Sequence, residues 1–423
     1  MNRFVALTAL AVVFLLPSVA TCSPTDWIDR DTGHRVVQLS REPGSESLYF
    51  NLNPFTPDGK KMVITTPTGI STINLQTRQI EQVVEGRVGV LMVGRKTGQV
   101  YYYRFNGGNP FAPRKHVIYA TDLNTKATHE VATLPPGENA VTVNCDETLL
   151  AGTVTDWDDL TNRPSFHYAP NLTPDQRRER KGEMFIRRFG EHLPMALFFL
   201  NLQTGQVKTF NRCTNWLNHL QFSPTDPQLL MFCHEGPWQD VNRLWTIRSD
   251  GTGLTLVHQR TMVMEIAGHE FWGADGQTIW YDLQTPRGED FWVAGYNVRT
   301  GARTWYHLQR NEWSVHYNVS PDGKLFCGDG GDDQMAAHAT NGKWIYLFRP
   351  EKVPDLTATN RDETGLIRPG AFQAERLVNM AKHNYGLEPN AMFSPDMKWV
   401  IFRSNLSGAS QVYAVEIKRA DSR

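Results

Sequence analysis

The sequence predicts an all-β fold: a seven-bladed β-propeller of four-stranded blades, with loop insertions on one face. Three observations carry this. One turn phrase recurs along the chain. A strand-turn-strand phrase follows each copy. The composition, 40% hydrophobic and 11% aromatic over 423 residues, is that of a folded globular chain.

Residues 1–22 read as a signal peptide. Arg3 precedes an apolar run from Phe4 to Leu16, and small residues follow around Ser18 to Ala20. The run is too short to cross a bilayer, and no second long apolar run exists. The mature chain is therefore expected to be exported, periplasmic or secreted, and not membrane-spanning. Lipid attachment at Cys22 is the weaker reading, because Thr21 stands where a smaller residue is usual. Cys145, Cys213, Cys233 and Cys327 match no zinc spacing and allow either one disulfide or four free thiols.

A single propeller domain is expected over 34–418. Its turn phrase is an aromatic or aliphatic residue, a small residue, then a turn of the Pro-Asp-Gly type leading into an apolar strand. The copies are "FTPDGKKMVI", "FSPTDPQLLMF", "WGADGQTIWY", "VSPDGKLFCG" and "FSPDMKWVIF", with "VNCDETLLAG" as a degenerate one. The stretch "VLMVGRKTGQVYYY" supplies another unit. The second phrase appears as "STINLQTRQIEQV", "IYATDLNTKATHEV", "LFFLNLQTGQVKTF", "LWTIRSDGTGLTLV" and "VAGYNVRTGARTWY". Meanders repeating every 40 to 50 residues or so indicate propeller blades. The count is seven, and "HRVVQLS" is placed to add the outer strand of the last blade and close the ring.

Long insertions fall between the second and third strands, on the face where the inner strands begin. They include "FNGGNPFAPRKH", 155–195, "HEGPWQDVN" and "GDGGDDQMAAHATNGK". The 155–195 insertion is basic and expected to be partly helical, overhanging the channel mouth. The net charge of −1 gives no global attraction to nucleic acid or an anionic membrane.

Aligning the units on the small residue of the turn phrase places His219, His269, His316 and Asn390 at one position at the start of successive inner strands. Leu52 and Ala140 hold it in two other blades. Such positions converge near the axis. Glu388 lies two residues before Asn390, on the same side of an extended segment.

The motifs "FCHEGPW", "VNRLW", "GHEFW", "VHYNVSPDG" followed by "GDG", and "LEPNAMFSPD" together resemble oligogalacturonate lyases, across most of the chain after residue 40. The resemblance implies a seven-bladed propeller that uses Mn²⁺ and a histidine base for β-elimination. It places the base on His269, an assisting arginine on Arg243 and a metal ligand on His316. The family's remaining ligands come from Gln, two residues, then His-Pro-His. Here that stretch reads Tyr385, Gly386, Leu387, Glu388, Pro389, Asn390, so only the proline matches.

β-Elimination from a 4-linked uronate removes the C5 proton and breaks the bond to O4. A cation or a bidentate arginine on the carboxylate stabilises the charge that develops. A neutral imidazole, with an ordinary pKa of about 6.5, is a suitable base. The oxygen donors of Glu388 and Asn390 suit Mn²⁺, Ca²⁺ or Mg²⁺. His383 and Tyr385, just upstream, are candidates to complete the site, and Tyr385 or a water to protonate the leaving oxygen. His219, His234, Tyr385 and Trp238 are the candidate contacts for an acidic oligosaccharide substrate, with Glu235 beside His234 as sugar contact or loop support.

Each assignment has a plainer counterpart. His269 and His219 are also readable as structural histidines, Arg243 as a surface partner of Asp240, Glu388 and Asn390 as loop supports, Trp238 as packing, and "CGDGGDDQ" as a turn. The alternative function is a non-enzymatic binding platform. The "SPDGK" phrases also resemble TolB-like periplasmic propellers, in that turn alone.

Overall fold

A computed structural model describes residues 25–105, 116–155, 174–354 and 365–420. The expected signal peptide lies outside these residues. Seven four-stranded antiparallel blades run in chain order from the inner strand outward. The inner strands are Glu46–Ser47, Val88–Val93, Glu138–Val143, Trp216–Phe222, Ile266–Trp272, Tyr317–Val319 and Met392–Phe393. The fifth and sixth blades merge into one sheet, because the strand Arg303–Leu308 pairs in parallel with Ile367–Asn379.

The ring closes as the sequence suggested. His34–Gln38 pairs antiparallel with Gln411–Arg419 as the outer strand of the seventh blade, and Asp26–Ile28 adds a fifth strand beyond it. Side chains on a strand alternate between faces. Val36 therefore enters the core between blades six and seven, while Val37 enters the core between blades seven and one. Phe198 and Phe199 divide in the same way between the two flanks of the third blade. Seven apolar clusters, one between each pair of blades, make up the core.

The turn phrases form the lower face. In "TPDG", Asp58 Oδ1 accepts from Thr56 Oγ1 at 2.7 Å and from Lys60 N at 3.0 Å, and Gly59 takes φ +68°. The sixth and seventh blades repeat this with Asp322 and Asp396. The upper face carries the connections between second and third strands. There the helix Pro174–Gly190 docks on the fourth blade, with Phe185 5.3 Å from Trp216 and Arg188 5.6 Å above the same ring. Gly236 must lack a Cβ at this contact, since one would lie 2.8 Å from Phe189.

Candidate active site

The inner strands of blades four and five each carry a bulge near the upper face. Their register slips between Asn218 and Gln221, and between Gly268 and Phe271. His219 and His269 sit in these bulges, both at φ +49°, and Asn390 takes φ +54° in the seventh blade. Left-handed backbone at a non-glycine residue costs about 1–3 kcal/mol and persists where the surroundings impose it, often at functional sites. Three of the four polar residues that share the register in the sequence thus share a left-handed backbone conformation, and His316, the fourth, does not.

His269 lies edge-to-face between Trp238 and His316, with ring centroids 4.9 Å away on each side. His316 is fully buried. Its Nδ1 lies 2.8 Å from Asp329 Oδ2, and its backbone N–H donates to Asp329 Oδ1 at 2.8 Å. Asp329 thereby selects the tautomer and turns the Nε2 lone pair to the mouth, an arrangement common for metal-binding histidines. Around Nε2 stand the Tyr49 hydroxyl at 3.2 Å and Glu388 Oε2 at 3.8 Å.

On the fourth blade, Glu235 accepts from Asn218 Nδ2 at 3.2 Å and Trp238 Nε1 at 3.1 Å, and lies 3.1 Å from His219 Nε2. It also takes the Nη1 end of Arg243. Arg243 Nε donates to Glu270 Oε2 at 3.1 Å, and the guanidinium lies 4.8 Å from the Trp238 ring. Burial alone lowers the pKa of this arginine. Cys233, Glu270 and Glu235 outweigh that and hold it well above the ordinary value. Burial likewise raises Glu235, but Arg243 and His219 leave it below the usual carboxylate range.

The structure brings His219, Trp238, Arg243, His269, His316 and Glu388 into one chain of contacts, and it corrects several expectations. Arg243 is no surface partner of Asp240: it is 2% exposed. Two carboxylates occupy its fork, so it presents no bidentate grip to a uronate and serves as an anchor. His383 is not placed as a ligand. Its Nδ1 lies 2.8 Å from Ser404 Oγ and its Nε2 2.7 Å from the Leu387 carbonyl. Asn390 is also taken up by the fold: Oδ1 accepts from Phe50 N, Nδ2 donates to the Glu388 carbonyl, and its backbone N–H reaches Asp329.

Tyr385 is buried and donates to the Asp329 carbonyl at 2.9 Å, out of reach of a sugar or a leaving oxygen. His234 points to the opposite face of its strand from Glu235, with its ring 5.0 Å from Trp245. Burial lowers its pKa to about 4. Cys145, Cys213, Cys233 and Cys327 are free.

The sequence motifs do not single out Glu270, Asp329 or Tyr49, and they mark Glu235 only beside His234. Asp329 looked like part of a glycine-rich turn. Glu270 and Glu235 each adjoin a histidine that is the stronger candidate for chemistry. Tyr49 has no polar counterpart in the repeat.

Of the four expected metal donors, two fit: His316 Nε2 and Glu388. His219, Cys233 and Glu235 also bring donor atoms within 4.8 Å of one another. There, however, Arg243 lies on Glu235 and repels a cation, while burial holds the Cys233 thiol well above its ordinary pKa.

Fold and site together define a seven-bladed propeller with histidines and a buried arginine–carboxylate network at one channel mouth. The family model for oligogalacturonate lyase matches residues 183–421, over half of the chain, and the chain belongs to that family. The oligogalacturonide lyase of Pectobacterium atrosepticum is 24% identical over 411 residues, covering 92% of this chain and 95% of its own. The oligogalacturonate lyase of Dickeya dadantii is 23% identical over 409 residues, with the same coverage of 92% and 95%. A solved oligogalacturonate lyase in complex with manganese superposes with a TM-score of 0.71 at 22% identity, covering 94% of this chain and 97% of its own. The Vibrio parahaemolyticus enzyme does so with a TM-score of 0.71 at 21% identity, covering 93% and 96%.

Proposed function

We propose that the protein is an exported lyase, periplasmic or secreted, that cleaves oligogalacturonate by β-elimination and releases a 4,5-unsaturated uronate. The observation that carries this is His269, held between Trp238 and His316 at the mouth of the channel. In this reading His269 takes the C5 proton. Trp238 fixes the ring edge-on and sits on Arg243, which in turn locks Glu235 and Glu270. Tyr49, half-buried with its hydroxyl at the mouth, replaces Tyr385 as the group that returns a proton to the leaving oxygen.

Charge supports a metal requirement. Glu235, Glu270, Asp329 and Glu388 stand against Arg243, while Arg403 beside Glu388 is paired with Glu46, so the described site has an excess of carboxylates and repels a uronate carboxylate. His316 and Glu388 would hold a divalent cation, Mn²⁺ in the first instance and Ca²⁺ or Mg²⁺ as substitutes. When bound it supplies positive charge for the substrate carboxylate and for the charge that develops on it.

Mass spectrometry of the products of saturated trigalacturonate tests the reaction type. Elimination gives fragments whose masses sum to that of the substrate, and hydrolysis adds a water. The first outcome is expected with Mn²⁺ present, with loss of turnover on chelation. Fragments that have gained water would contradict it.

A further inference from the structure

The seven turn phrases meet around the lower end of the channel, at a cavity of about 380 Å³. The residue after the small residue of each phrase lines it, one from every blade. Four are prolines, Pro57, Pro224, Pro321 and Pro395; Ala274 and Cys145 hold the place in two blades. In the second blade it is Arg95, the one charged side chain among the described residues lining the cavity. Glu147, which caps the same turn, is taken up by the backbone N–H groups of Lys96 and Thr97 at 2.7 Å each.

Arg95 is solvent-exposed and forms part of the cavity wall. Phe50 and Phe271, with rings 5.9 Å apart, line the cavity from above. Phe50 also packs on His316, its ring 4.6 Å away, so the same ring lines the cavity and touches the upper site.

We propose that the lower channel is a second ligand site, taking a monocarboxylate of monosaccharide size. Its carboxylate lies on the Arg95 fork and its body against the apolar collar. A guanidinium matches a carboxylate through two parallel hydrogen bonds. A single positive charge suits one anionic group and does not neutralise an oligouronate. The volume falls within the range of small-molecule sites, which is about 300–1,000 Å³. The assignment does not rest on the lyase reading, although a monouronate is the class of molecule that reading releases.

Cys145 reports on the site, since it lines the cavity and is partly exposed. Cys213, partly exposed in the outer strand of the third blade, is the internal reference. The full protein is alkylated in parallel with iodoacetate, itself a small monocarboxylate, and with neutral iodoacetamide. Both cysteine peptides are then quantified by mass spectrometry. The iodoacetate-to-iodoacetamide ratio at Cys145 is expected to exceed that at Cys213 by about threefold or more. In Arg95→Gln it should fall to the Cys213 ratio. Galacturonate should protect Cys145, and neutral galactose should not. Equal ratios in the unaltered protein, no change in Arg95→Gln, or no protection by galacturonate would overturn the proposal. So would equal protection by galactose, acetate or phosphate.

Discussion

At residue 243 a guanidinium lies between two carboxylates with 2% of its surface exposed. Removing a partner from such a cluster leaves uncompensated buried charge, at a cost of about 3–5 kcal/mol. Arg243→Met is therefore expected to lower the thermal midpoint and the activity together. An unchanged midpoint with lost activity would instead make Arg243 a direct substrate contact. Its fate also shows what the sequence could convey. The motif marked Arg243 as important, but the partners Glu235 and Glu270 come from separate strands and are set by side-chain parity. His234 is the sugar contact the motif suggests, with Glu235 only beside it, but the two lie on opposite faces of their strand and it is Glu235 that joins His219 and Arg243.

The segment from Met380 to Asn390 behaves as a built loop. His383 ties Ser404 to the Leu387 carbonyl, and Asn390 ties Phe50 to Glu388. Together they present Glu388 to His316. Burial lowers the pKa of His383 to about 4, against about 6.5 in an unfolded chain. As pH falls, the unfolded state takes the proton first. The stability contributed by the neutral ring is then complete above about 6.5 and is lost progressively toward pH 4. Urea midpoints measured from pH 7 to pH 4 should fall in the unaltered protein and fall less in His383→Gln. Parallel curves would show that His383 does not titrate with folding. The sequence placed this loop at the site but not the use of its side chains. A histidine and an asparagine look alike as ligands and as backbone supports until their hydrogen-bond partners are known.

The whole molecule depends on a strand from one end of the chain completing the last blade at the other. Val36 and Val37 enter the two interblade cores beside that closure. A buried carboxylate there has no partner, so Val37→Asp should cost several kcal/mol and unfold the ring as one unit. Retained stability would show that the blades stand without closure. The repeats made this architecture legible, because blade geometry is local and periodic, while the acidic balance of the mouth arises only once seven blades converge. Elimination at this mouth with His269 as base is tested by following the ultraviolet absorbance of the unsaturated product. With oligogalacturonate and Mn²⁺, absorbance should rise for the unaltered protein. For His269→Ala it should rise slower by about 10²–10⁴-fold, with the thermal midpoint unchanged. No rise in either protein would rule out the elimination, and an equal rise in both would rule out His269 as its base.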